Sequence, residues 1–445
     1  MNARNLVFAV AAAALVGAAP AGAQQTLALS AAEDSAPAPK ADSSTAAATT
    51  AADFTRKTTF EEPKEVADFA GIHLEWHAAF AQGFQALTHS SDAAPAAGAL
   101  QALRPGFNLA EANLGLGTQL AKGIRVDLEG YMSSRHHEEF WVKGGYATID
   151  ASPINLPVLN RIMAHTTIRA GHYEVNYGDA HYRRSDGGFT TRNPFIENYI
   201  LDAFTTEIGA DATVRFGSAF AVAGVTTGEN KGNVKDATVS GGPKAKPAYL
   251  GKIGFDRQLS PTTRVRLSGS TYQASSTPAG TLYAGDRTGS HYFGVMEKDG
   301  FVETDQFTSG RVNPGFKNEI SAYQLNPFVK VGGLELFGVI ETASGKAATE
   351  TARRTVHQYA GDAVYRFLGD RLYVGGRYDV VKGDLSQALK GIEVNRAALS
   401  AGWFLTPNML TKIEYVTQKY DGFPTTDLRS GGRFHGLAAE GAISF

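Results

Sequence analysis

The sequence predicts an all-β fold: a transmembrane antiparallel β-barrel of about sixteen strands, with short turns at one end and long loops at the other. Three observations carry that expectation. Strand-length segments alternate apolar and polar residues, the connections between them alternate short and long, and the chain ends on a strand closed by an aromatic residue. In that last strand Leu437, Ala439, Gly441, Ile443 and Phe445 share one parity, while Ala438, Glu440, Ala442 and Ser444 share the other. One face suits hydrocarbon and the other suits water.

The amino-terminus supports a membrane destination reached by export. Arg4 precedes an apolar run over 6–16, and small residues follow to Ala21-Gly22-Ala23. This is the pattern of a cleaved signal peptide over 1–23. The run is shorter than the roughly 20 residues a spanning helix needs. No later segment is apolar for long enough, so a membrane form must be a closed barrel, since open sheet edges are not tolerated in lipid. Residues 24–66 are rich in Ala, Ser, Thr and Pro and are expected to be a disordered periplasmic lead-in, with a small plug or a tether to the cell wall as the alternative, leaving 67–445 for the barrel.

Composition narrows the classes further. Cys 0 removes disulfide scaffolds, thiol nucleophiles and cysteine metal sites. The 49 glycines and 10% aromatics fit many short strands and turns. A formal charge of -2 provides no basic face, so nucleic acid is not an expected partner. The mean hydropathy of -0.19 is compatible with a barrel whose polar residues face inward.

The first strand candidate sets Ile72, Leu74, Trp76, Ala78 and Phe80 against His73, Glu75 and His77. The second sets Leu114, Leu116 and Leu120 against Asn113 and Gln119, and the third sets Ile124, Val126 and Leu128 against Arg125, Asp127 and Glu129. Further strands are expected at 140–149, 163–173, 204–216, 219–226, 248–257, 264–272, 320–331, 334–343, 355–367, 372–382, 393–404, 409–418 and 434–445. Many approach the 9–11 residues of a tilted membrane strand, beyond the usual 5–6. Short turns fall at 121–123, 217–218, 258–263, 332–333, 368–371 and 405–408, with a longer one over 150–161. Between them lie 89–106, 174–203, 227–247, 273–319, 344–354, 383–391 and 419–433, with a brief link at 134–139 as the exception. The short turns therefore share one end, expected to be periplasmic, and the long loops share the extracellular end.

Phe216, Tyr365, Phe367, Trp403 and Phe445 are placed to form an interfacial girdle. Pro327 lies mid-strand, where it cannot donate to the ladder, and predicts a bulge or a delayed strand start. The parity that faces inward carries both signs of charge, among them Arg125, Asp127, Glu129, Arg169, Arg215 and Arg377 as pore wall, with Asp211, Asp362, Asp379, Arg396 and Glu414. Facing lipid at the midplane, an arginine would cost about 2–4 kcal/mol, so these residues must point inward.

The segments IRAGHYEVNYG, LELFGVIETASGK, YRFLGDRLYVGGRYD and GWFLTPNMLTKIEYV resemble the broad superfamily of bacterial outer-membrane porins that includes phosphate-selective porins. The resemblance implies passive diffusion of ions and small hydrophilic solutes through a water-filled channel, and a homotrimer. It implies as partners the outer-membrane lipid with its lipopolysaccharide, and the barrel-insertion machinery, which would read the strand ending at Phe445. It also implies that the loop 174–203 folds into the channel, with Arg183, Arg184 and Arg192 facing Glu174 and Asp186, beside His181, across a constriction; the competing reading of this loop is an external lid over the mouth. The wall lacks a dense ladder of arginines and lysines free of acids, so the resemblance does not extend to anion preference.

Two other classes compete with this expectation. A barrel enzyme would draw on His136, His137, Glu138, His181, Ser185 and Asp186, yet the sequence holds no nucleophile elbow, Walker A or H-E-x-x-H pattern. A loop-plugged barrel for binding or adhesion would use 273–319 as its surface. No cofactor or metal is expected; EKDGFVETD at 297–305 has oxygen ligands without EF-hand spacing.

Overall fold

The computed structural model describes residues 60–136, 139–185, 190–234 and 244–445. The expected signal peptide, most of the lead-in, and His137, Glu138 and Asp186 lie outside the described residues. Sixteen strands form one closed antiparallel barrel, each paired to its neighbours in sequence. They are β1 (Leu74–Ser90), β2 (Gly106–Ala121), β3 (Ile124–Ser133), β4 (Trp141–Ile149), β5 (Thr166–Glu174), β6 (Thr206–Phe216), β7 (Ala219–Thr226) and β8 (Ala248–Ser260). The second half comprises β9 (Thr263–Ala274), β10 (Glu319–Val331), β11 (Leu334–Lys346), β12 (Arg354–Phe367), β13 (Leu372–Gly383), β14 (Ile392–Thr406), β15 (Met409–Asp421) and β16 (Arg433–Ser444).

Closure is made by β1 against β16, in register from Ala79 opposite Ser444 to Ser90 opposite Arg433. Phe445 extends the seam: its N–H donates to the Ala78 carbonyl at 2.9 Å and its carbonyl accepts from the Ala78 N–H at 2.8 Å. Its ring meets Trp76 edge-on at 5.8 Å. A closed seam leaves no unpaired strand edge for lipid to desolvate.

The alternation resolves into two faces. Tyr323, Ile340, Tyr359, Tyr378, Leu399 and Ile413 are exposed on the outer surface, while Asn326, Glu341, Gln358, Arg377, Arg396 and Glu414 on the opposite parity are buried. Phe216, Tyr365, Phe367, Trp403 and Phe445 are exposed near the short-turn end. The turns there are mostly two residues long, as at 122–123, 217–218 and 332–333. Gly123 adopts φ 63°, a left-handed conformation that glycine enters without steric cost. The longer link between β4 and β5 carries one helical segment, α1 (Pro157–Met163).

At Pro327 the outcome differs from expectation. β10 runs straight through it, with Pro327 opposite Leu267 on the β9 side. On the β11 side the register is unshifted, but pairing is interrupted between Leu325–Ile340 and Phe328–Phe337. Two neighbours absorb the missing donor. The Asn326 side-chain amide donates to the Gly338 carbonyl at 3.1 Å, and Gly338 has no Cβ, which would lie 2.9 Å from the proline ring.

The end of the expected lead-in is ordered. Phe60 is 1% exposed, packed edge-on against Phe328 at 5.1 Å and Tyr182 at 6.2 Å.

Candidate functional site

The interior of the barrel is the chemically distinctive region, and two long loops fill much of it. The 174–203 loop has little regular structure, so its main-chain polar groups need partners away from bulk water. The inward wall supplies them. Ile196 N–H donates to Glu414 at 2.9 Å, Ile200 N–H to Asp379 at 2.5 Å, and Leu201 N–H to the Gln358 amide oxygen at 2.7 Å. Asp179 N–H donates to Asn326 at 2.8 Å. In the other direction Arg396 donates to the Asn198 carbonyl at 2.7 Å and Lys412 to the Phe195 carbonyl at 3.1 Å. A wall of both signs suits a loop that presents both donors and acceptors.

Among the described residues, the charges expected at the constriction make these contacts. Arg183 reaches the wall, pairing with Glu335 at 2.7 Å and lying over Phe337 at 4.8 Å. Arg184 pairs with Asp202 and with Asp286 at 3.2 Å, and covers the Phe204 ring at 4.1 Å. Glu174 pairs with His181, and His181 also meets Asn176 at 3.2 Å. Burial lowers the His181 pKa despite Glu174. Arg192 is half-buried, and burial lowers its pKa against the pull of Glu62 and Glu174. Desolvated charges cannot be left facing each other across a gap; each takes the nearest opposite charge. Among the candidate catalytic groups, His181 is turned to Glu174, and the Ser185 hydroxyl accepts from Asn193 at 2.6 Å.

The second loop, 273–319, which the loop-plugged alternative takes as a binding surface, also hydrogen-bonds to the inward wall. Tyr283 donates to Glu341 at 2.6 Å and Tyr292 to Glu414 at 2.5 Å. Ser290 donates to Glu197 at 2.5 Å, joining the two loops. Arg311 is their common centre, pairing with Glu197 and Asp286 and, at 3.0 Å, with Asp202. Burial would raise the Glu197 carboxyl, but Arg311, His291 and Arg396 bring it down to about 2. His291 sits 2.7 Å from Glu440 and 3.9 Å from Glu111. Burial works to lower its pKa, but Glu440, then Glu111 and Glu197, push it up to about 9. The signal sequence reasoning missed is that Tyr283, His291, Tyr292 and Arg311 give this loop the same aromatic and charged make-up as 174–203.

The pore-wall residues divide by position. On β12 and β13 Arg377 grips Asp362 with two bonds of 2.7 and 2.9 Å, and is 4% exposed. Along β3 to β6 water still reaches the wall: the side chains of Arg125, Asp127, Glu129 and Arg169 keep about a quarter of their surface. There Arg125 pairs with Asp150 at 3.0 Å and lies 3.8 Å from Asp127, and Glu129 meets Lys143 at 3.4 Å. Arg169 holds Asp211 at 2.6 Å, and Arg215 donates to the Glu62 carbonyl at 2.8 Å. Toward the long-loop end the same side closes, with Glu111, Asn113, Ser133 and Arg135 buried. One cavity beside Arg311, between the two loops, and one beside Lys143, between the loops and the wall, each hold about 10 Å³, room for a single water. Among the described residues no group of His, Asp and Glu is placed to hold a metal ion.

This architecture, a closed sixteen-stranded barrel with an apolar outer belt and a charged interior entered by its own loops, is the fold of bacterial outer-membrane porins. The barrel is similar to an anion-selective porin from Comamonas acidovorans, with TM-score 0.51 and 10% identity over 84% of this chain and 100% of that one. It is similar as well to the outer membrane channel DcaP of Acinetobacter baumannii, with TM-score 0.50 and 10% identity over 85% of this chain and 100% of that one. No protein-family model and no curated protein matches the sequence. At this identity the likeness is one of fold.

Proposed function

We propose that the protein is a porin-type channel of the bacterial outer membrane, passing ions and small hydrophilic solutes at a rate set by the loops 174–203 and 273–319. The observation that carries this reading is a closed barrel whose outer belt is apolar while its interior is lined by ionised side chains. Ion pairs along the wall keep polar surface inside the barrel, beside an apolar cluster of loop residues that includes Ile200, Leu201, Val295 and Val312, so water and ions pass where the loops yield. The water-reached strip along β3 to β6 offers both signs of charge, which suits small polar solutes without strong preference between anions and cations. Export through a cleaved leader, insertion guided by the Phe445 strand, contact with lipopolysaccharide and trimeric assembly complete the proposal.

Single-channel recording in planar bilayers tests it. The expected result is stepwise current, smaller than that of an unobstructed barrel of sixteen strands, rising when 273–319 is shortened to a tight turn. A folded barrel that stays silent after that shortening refutes conduction. The burial of side chains from both long loops favours one other reading, a loop-plugged barrel serving binding or adhesion, and the silent outcome is the one it expects.

A further inference from the structure

Residues 60–68 cross the mouth of the barrel at the short-turn end, touching in turn the walls on opposite sides. Phe60 lies under the guanidinium groups of Arg266 at 4.3 Å and Arg264 at 5.3 Å, both on β9. Glu61 pairs with Lys252 of β8 at 2.8 Å and Arg266 at 2.7 Å. Glu62 then meets Arg125 of β3 at 3.2 Å and, through its carbonyl, Arg215 of β6. Lys64 donates to the Thr166 carbonyl at 2.7 Å, Ala67 accepts from Gln119 at 2.8 Å, and Asp68 pairs with Lys122 at 2.6 Å. Nine extended residues reach about 30 Å, enough to span such a mouth.

The inner end of this strap meets the 174–203 loop. Asp179 of the loop shares both of Glu61's partners, lying 2.6 Å from Lys252 and 2.8 Å from Arg266. Lys252 also donates to Asn176 and to the Gly178 carbonyl, both at 2.8 Å. The loop and the strap are thus held by the same two cations, and Phe60 fills the space between Tyr182 of the loop and Phe328 of the wall. Asp256 also pairs with Arg266 at 3.1 Å and with Arg264 at 2.6 Å, so three carboxylates against three cations leave the cluster neutral. With Glu61 withdrawn, Lys252, Arg264 and Arg266 would face Asp179 and Asp256 in excess, and a buried excess of charge is costly. Burial would raise the Glu61 carboxyl, but Lys252 and Arg266 bring it down to about 2, so the seated strap is ionised.

We propose that 60–68 is a latch: Phe60 and Glu61 are positioning residues that hold the 174–203 loop across the barrel, and withdrawing the strap frees that loop from the short-turn end. The consequence for current rests on the channel reading above, and the consequence for the loop does not.

The experiment uses the full mature chain, whose lack of cysteine allows single thiols to be read cleanly. A Phe60→Cys variant should react with a maleimide about tenfold or more slowly than Glu65→Cys, whose position is exposed. In Glu61→Gln, and more so in Phe60→Ala with Glu61→Gln, trypsin should cut faster at Arg183, Arg184 or Arg192. Single-channel current should rise and reversal potentials shift toward anions, because Lys252 and Arg266 lose an acid. Phe60→Leu, which keeps an apolar filler, should stay nearer wild type than Phe60→Ala. Unchanged cleavage in the double variant overturns the latch. Faster cleavage with no current in any variant, including the shortened 273–319 loop, supports the latch and refutes the channel reading.

Discussion

Replacing Arg377 by methionine should separate what holds the loop from what holds the barrel. Arg377 stands directly opposite Asp362 across the β12–β13 ladder and binds it with two hydrogen bonds. It also grips the loop: one N–H donates to the Glu197 carbonyl at 2.8 Å, and its plane lies 4.2 Å from Phe195 and 4.0 Å from Tyr199. Breaking a buried ion pair costs about 3–5 kcal/mol, because the partner is left charged and unpaired; here Asp362 would keep the Tyr199 hydroxyl at 2.9 Å. The contacts to the loop account for a separate share. A charge-assisted hydrogen bond contributes about 1.5–3 kcal/mol and a desolvated cation over a ring about 2. These overlap, so about 3 kcal/mol is a fair sum, or roughly a hundredfold in the ratio of docked to undocked loop. Arg377→Met alone should therefore lower the temperature at which the folded band disappears on unheated gels and raise open-channel occupancy. Adding Asp362→Leu removes the stranded carboxylate and should restore much of the thermal stability while occupancy stays high. A double variant with recovered stability and wild-type current would refute the view that this arginine seats the loop.

Three further outcomes are expected. The raised pKa of His291 means the charged imidazole stabilises the seated 273–319 loop fully below about pH 6.5 and is lost as pH rises through about 9; conductance should climb across that window and His291→Gln should flatten the climb. His291 faces Glu440, Glu111 and Glu197, with Lys412 paired to Glu440 at 2.6 Å, so a pH-independent current would show that another group dominates. Gly436→Ala should weaken the barrel by about 1–3 kcal/mol, since φ there is 150° and a Cβ would sit 2.2 Å from the Ala86 carbonyl oxygen; an unchanged melting of the folded band would contradict this. Deleting Phe445 removes two seam hydrogen bonds and the Trp76 contact, and should reduce the folded barrel recovered from membranes, whereas a normal yield would show the terminal residue is dispensable.

Much of the barrel was legible along the chain because a strand's side chains alternate strictly, so the parity of Arg377 or Leu399 follows from local order alone. The same rule placed the girdle aromatics outward and the wall charges inward. Pro327 was misread for a non-local reason. The groups that accommodate it include Gly338, opposite on the next strand, whose missing side chain makes room for the ring.

Local sequence determined that strands alternate, where they turn, and which face each residue takes, because those depend on neighbours one or two positions away. Tertiary structure alone decided that the second long loop lies inside, that Arg183 chooses Glu335, and that Phe60 reaches the barrel wall. Those outcomes depend on which opposite charge lies nearest once water has left, and only the closed barrel brings Glu61 and Asp179 each within ion-pair distance of Lys252 and Arg266.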